Sequence, residues 1–110
     1  MNNSNTFQKE IKRFYVSGKI SGIKLEWAKK NFHFACLEVQ KYHGADFVVN
    51  PFDIKPFLGF KCWGCYMLKD LLALRKCTHI ALMSNWIDSK GACIEHFIGK
   101  FILKLEVIYL

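Results

Sequence analysis

The sequence predicts an α/β fold in which a small parallel sheet lies between layers of helix. Short β-branched and aromatic runs end at Gly or Pro, and the longer segments between them repeat apolar residues at helical spacing. The two kinds of segment alternate along the chain. Parallel strands follow from that alternation, because a parallel pair needs a long crossover and a helix supplies it.

The first strand is read in "IKRFYVSG". The helix over "IKLEWAKKNFHFACLEVQKYHG" places Leu25, Ala28, Phe32, Ala35, Cys36 and Val39 on one face, with Gly44 as its stop. "ADFVVNP" is the second strand, halted by Pro51, and residues 51–61 hold both prolines and read as a loop. The second helix, "WGCYMLKDLLALRKC", sets Met67, Leu71 and Leu74 on one side. "THIALMS" is the third strand and "NWIDSKG" a loop. Ser89 then caps one helix over "KGACIEHFIGKFILK", and "LEVIYL" is the fourth strand. Residues 1–10 are a flexible polar N-terminus and residues 11–110 a single domain.

Right-handed crossovers put the second strand beside the first and the third on its other side. The sheet order is then 2-1-3-4, that of a small three-layer, flavodoxin-like α/β/α domain. Ligands in such sheets bind outside the carboxyl ends of the strands, at the switch between strands 1 and 3. That rule brings "GKISG" and "NWIDSKG" together at one crevice.

Composition narrows the classes. A chain of 110 residues, 52% of them hydrophobic, can bury a core, which excludes disorder for most of its length. Its apolar runs are broken by charge before the roughly 18 residues a membrane span needs. The opening "MNNSNTFQKEIKR" has no apolar signal-peptide region, so a cytoplasmic protein is expected. The net charge of +7 favours anionic ligands, but the basic residues are scattered, so long nucleic acid is not an expected partner. Of five cysteines, Cys36, Cys77 and Cys93 fall in apolar periodic segments. All five are expected to be free thiols in a reducing compartment, with no metal and no cofactor.

Glu95 stands out. It sits among Ala92, Cys93, Ile94, Phe97 and Ile98, where burying an unpartnered carboxylate is costly. The topology brings it to the crevice with Tyr15, at the end of strand 1, and Asp70, in the helix before strand 3. Gly18, Gly22 and Gly91 leave backbone amides open to an anion, and a helix N-terminus follows Ser89. Singly, Asp70 reads as a solvated helix residue, Tyr15 as a half-buried ring, and Glu95 as an early acid favouring the helix dipole. Their convergence points to a site.

The motifs around these residues resemble the nucleoside 2-deoxyribosyltransferase-like superfamily, which includes the 2′-deoxynucleoside 5′-phosphate N-hydrolases. "YVSGKISG" looks like its first-strand motif, "WGCYMLKDLLALRKCTHIALM" its aspartate-bearing second signature, and "SKGACIE" its Ser-x-Gly-x-x-x-Glu. A small bacterial and phage subgroup of unassigned function is closer still, sharing "VVNPFD" and the Trp-x-x-x-Met-x-x-Asp spacing. The resemblance implies cleavage or transfer of the N-glycosidic bond of a (deoxy)nucleoside or its 5′-monophosphate. Glu95 would be the nucleophile, Asp70 the carboxylate that handles the base, and Tyr15 the phenol that orients Glu95. The sugar 5′-hydroxyl or phosphate would be held by Ser89, Gly91 and the loop of Gly18, Lys19, Ile20, Ser21 and Gly22. Asn50 and Pro51 complete the implied substrate set. The phosphate hydrolases carry an arginine where this chain has Ser21, and Lys19 and Lys90 are the cations that can replace it.

Other readings remain beside that one. Trp63 and Trp86 adjoin the site loops and can stack a nucleobase or cap the core. The crevice also suits a nucleotide-binding module that turns nothing over. "CWGC", Cys62 to Cys65, is a C-x-x-C opening a helix, the pattern of a redox or zinc site. Finally, the open sheet edges and the apolar Phe57, Phe60, Trp63, Met67, Phe97 and Phe101 predict a homodimer.

Overall fold

The computed structural model describes residues 10–55 and 62–110. Residues 1–9 of the expected flexible terminus, and Phe57 and Phe60 of the expected dimer patch, lie outside the described residues. Four strands form one parallel sheet: β1 (Arg13–Ser17), β2 (Phe47–Val49), β3 (His79–Leu82) and β4 (Glu106–Tyr109). Their order is β2-β1-β3-β4, the order expected from the sequence. Tyr15 is registered between Val49 on one side and Ile80 on the other.

Helix α1 (Leu25–Tyr42) covers one face and helices α2 (Trp63–Leu74) and α3 (Lys90–Phe97) belong to the other. The alternation of β1 divides the core accordingly. Phe14 and Val16 pack with Phe32, Ala35 and Val39 of α1, while Tyr15 packs with Leu74, Cys77, Ile80 and Leu82. β1 from Phe14 onward and β3 throughout are buried, as central strands covered on both faces should be. α1 ends at Tyr42, with Gly44 just beyond it at φ +67°, a conformation open to glycine.

Three expectations are corrected. Leu25 is 59% exposed rather than on the buried face. An 18-residue helix runs about 27 Å while a five-residue strand runs about 17 Å, so the first turn of α1 overhangs the sheet. The last helix is not uniform. α3 gives way to a π-turn at Ile98–Ile102, where Leu103 N donates to Ile98 O at 2.8 Å and Gly99 packs on Ile80. Cys62 and Cys65 form a disulfide, leaving Cys36, Cys77 and Cys93 as the free thiols. The first turn of α2 brings the Cα atoms of the pair to 5.1 Å, inside the range that a bridge spans. No helix among the described residues is long and apolar enough to cross a membrane.

Candidate functional site

Tyr15 and Ser17 are two apart on β1, so the pleat sends both side chains to the face that α2 and α3 cover. Ser89 starts α3 as its N-cap, its Oγ accepting from Ala92 N at 3.1 Å. Glu95 follows in the second turn and meets the strand. The Tyr15 hydroxyl donates to Glu95 Oε2 at 2.7 Å, and the Ser17 hydroxyl donates to Oε1 at 2.6 Å. Both distances are those of hydrogen bonds to a charged acceptor.

Glu95 is only 5% exposed. Burial pushes its carboxyl from 4.5 up to about 7, the Asp70 carboxylate adds to the rise, and the two hydroxyls oppose it. Near neutrality the group therefore divides between its protonated and its ionised form, a perturbation of the kind found at functional sites. Burial, then the Glu95 charge, holds the Tyr15 phenol protonated far above its ordinary range, so it remains a donor.

Asp70 is buried in the middle of α2 beside Lys69, which is 7% exposed. Lys69 Nζ donates to Asp70 Oδ1 at 2.8 Å and to the Pro51 carbonyl at 2.6 Å. One ammonium thus joins α2 to the exit of β2. Burial raises the Asp70 carboxyl above its ordinary value and Lys69 pulls against it. Two buried carboxyls with different hydrogen-bond partners are the arrangement that separates acid from nucleophile.

The surrounding loops are held together by short contacts. Lys19 N donates to Asn85 Oδ1 at 3.0 Å, tying the loop after β1 to the loop after β3. A Cβ on Gly18 would lie 2.5 Å from Met83 Sδ and 3.0 Å from its Cβ, so a side chain there would force Met83 to shift. Gly18→Ala is expected to lower stability by about 1–3 kcal/mol through overpacking, read from the urea midpoint. An unchanged midpoint would show that buried Met83 can move aside. Gly22 turns the same loop at φ +81°, between exposed Ser21 and half-buried Ile23, with Ile20 also at the surface. Gly91 lets α3 approach α2, since a Cβ there would meet Met67 Sδ at 3.2 Å.

The remaining expected site residues divide. Asn50 is committed to its own turn, its Oδ1 accepting from Phe52 N at 3.0 Å, while Pro51 is buried and receives Lys69. Trp63 is 51% exposed with Lys90 Nζ 5.1 Å from its ring centre. Trp86 clusters with His96 and Tyr109, at ring separations of 4.4 and 6.1 Å, and caps the core. Two residues of the cluster were not singled out in the sequence, Ser17 and Lys69. The period of β1 could have found Ser17, because it shares a face with Tyr15. Among the described residues no cluster of His, Cys, Asp and Glu is placed to hold a metal ion.

No curated protein and no solved structure matches the chain. The model of one family, a domain of unknown function (DUF4406), matches residues 12–109. That span includes every residue of the buried cluster and all four strands, and the chain belongs to this family.

Proposed function

We propose that this protein cleaves or transfers the N-glycosidic bond of a deoxynucleoside or its 5′-monophosphate, with Glu95 as nucleophile. The observation that supports the reading is the buried Glu95 carboxyl, gripped by the Tyr15 and Ser17 hydroxyls with Asp70 beside it. Ionised Glu95 attacks the anomeric carbon of the sugar. A carboxylate–carbon bond forms as the carbon–nitrogen bond breaks, and the base leaves with the electron pair. Asp70, whose carboxyl burial raises above its ordinary value while Lys69 opposes the rise, is the group that gives the base its proton. Water then hydrolyses the glycosyl-enzyme, or a second base attacks it and the outcome is transfer. In this reading the sugar 5′-hydroxyl or phosphate is held by Ser89, Gly91 and the loop of Gly18 to Gly22, with Lys19 and Lys90 as the cations that meet a phosphate.

The test is incubation with a panel of deoxynucleosides and their 5′-monophosphates, with release of free base followed by chromatography. Free base from at least one member is expected. Binding of a nucleotide with no base released from any member would instead make the crevice a nucleotide-binding module.

A homodimer is part of this reading. β2 and β4 are the outer strands of the described sheet, and Trp63, Leu68, Phe97 and Phe101 stand exposed on α2 and α3 and the π-turn. Met67, expected in the same patch, is instead buried against Gly91. Pairing these helices across a two-fold axis covers the exposed rings. Light scattering at micromolar concentration is expected to give twice the chain mass of 12.8 kDa, and a clean monomer overturns the dimer.

A further inference from the structure

The Cys62–Cys65 bridge takes no part in the chemistry above, and its place in the fold gives it little structural work. It spans a sequence separation of three, so the loop entropy it removes from the unfolded chain is small. α2 would also keep its cap without the bridge, because the cap contact is a hydrogen bond from Cys65 N to Cys62 Sγ at 3.1 Å. Cys62 is exposed and Cys65 half-buried, one turn further into the helix.

We propose that Cys62 and Cys65 form a thiol–disulfide exchange site for a low-molecular-weight thiol, with Cys62 as the sulfur that is attacked and, when reduced, attacks. Three observations meet at Cys62. Its Sγ sits at the N-terminus of a 12-residue helix and already accepts a backbone N–H, which favours a thiolate there. The Lys90 ammonium lies 5.1 Å over the ring of Trp63, the residue that follows Cys62. The bridge itself shows that Cys65 is in reach as the resolving partner. The other thiols contrast with it. Burial pushes Cys36 and Cys77 up to about 11, and the Cys93 thiol donates to the Trp86 and Ile87 carbonyls.

The exchange balances over two steps. An external thiolate attacks Cys62 Sγ, the bridge breaks, and Cys65 leaves as a thiolate that takes a proton. A second external thiolate attacks the outer sulfur of the mixed disulfide, releasing Cys62 and an external disulfide. Two external thiols are oxidised and one protein disulfide is reduced.

The test equilibrates the full chain in buffers of varied glutathione to glutathione-disulfide ratio, quenches with acid and counts thiols after denaturation. The count is expected to move in one transition between the three free thiols and all five cysteines of the chain. A count that does not change with the ratio overturns the proposal. Two single variants, each checked for folding by circular dichroism, then assign the sulfurs. Cys62 in Cys65→Ser is expected to alkylate about tenfold faster at pH 7 than Cys65 in Cys62→Ser, with an inflection below that of an ordinary thiol. It is also expected to take up one glutathione. Equal rates, or an ordinary thiol profile for Cys62, would remove its assigned role.

Discussion

Glu95→Gln is expected to be more stable than the parent at pH 8 and equal to it at pH 4, while losing base release by roughly 10⁴-fold. The two effects have one cause. Burial raises the folded-state value of the Glu95 carboxyl from 4.5 to about 7, so the fold favours its neutral form. The stability that neutral Glu95 contributes is complete below about 4.5 and is lost as the pH rises through about 7. At about 1.4 kcal/mol per pH unit, that span corresponds to roughly 3 kcal/mol. Glutamine cannot ionise, and the Ser17 or Tyr15 hydroxyl can turn to accept from its amide. Urea denaturation at pH 4, 6 and 8 should therefore show a gap between variant and parent that opens with pH. Parallel stabilities would mean that Glu95 is not held against ionisation. In the parent, kcat/KM is expected to rise through about pH 7 as the nucleophile ionises.

The same burial explains what was legible in the sequence. β1 and β3 could be read because each is a near-continuous apolar run, and the switch-point rule then placed Tyr15 beside Glu95 across 80 positions of sequence. The same topology brought Asp70 to the crevice, from the helix before β3, and the resemblance of its motif then implied its role. The less legible features depend on side-chain reach and local backbone adjustment. Lys69 and Asp70 are neighbours on a helix and diverge by about 100°, so spacing does not pair them; the length of the lysine stem does. The π-turn at Ile98–Ile102 was hidden because a helical repeat of apolar residues looks the same with or without one additional residue in a turn. The expectation that all five cysteines are free rests on compartment, whereas the helix geometry that brings Cys62 and Cys65 within reach is local.

Lys69 carries the second large expectation. Lys69→Met keeps most of the apolar stem and its volume, so the main loss is the ammonium. The Asp70 carboxylate then stands buried without its closest donor, and the Pro51 carbonyl loses its own. Removing one partner of a buried ion pair costs about 3–5 kcal/mol, because the remaining charge is uncompensated. Burial already raises the Asp70 carboxyl, and Lys69 is the leading influence that lowers it. Without Lys69 it climbs further, and the cost depends on pH. A raised folded-state value means stability is retained while Asp70 is protonated and is lost as the pH rises through that value. The variant should thus lie near the parent at pH 4 and well below it at pH 8 in urea denaturation. Adding Asp70→Asn should recover most of the loss, since the stranded charge is then gone and the two changes are coupled through one contact. A deficit of the same size at both pH values, unrelieved by Asp70→Asn, would place the importance of Lys69 in its bond to the Pro51 carbonyl. Lys69 would then act by fixing the exit of β2 rather than by holding the Asp70 carboxyl.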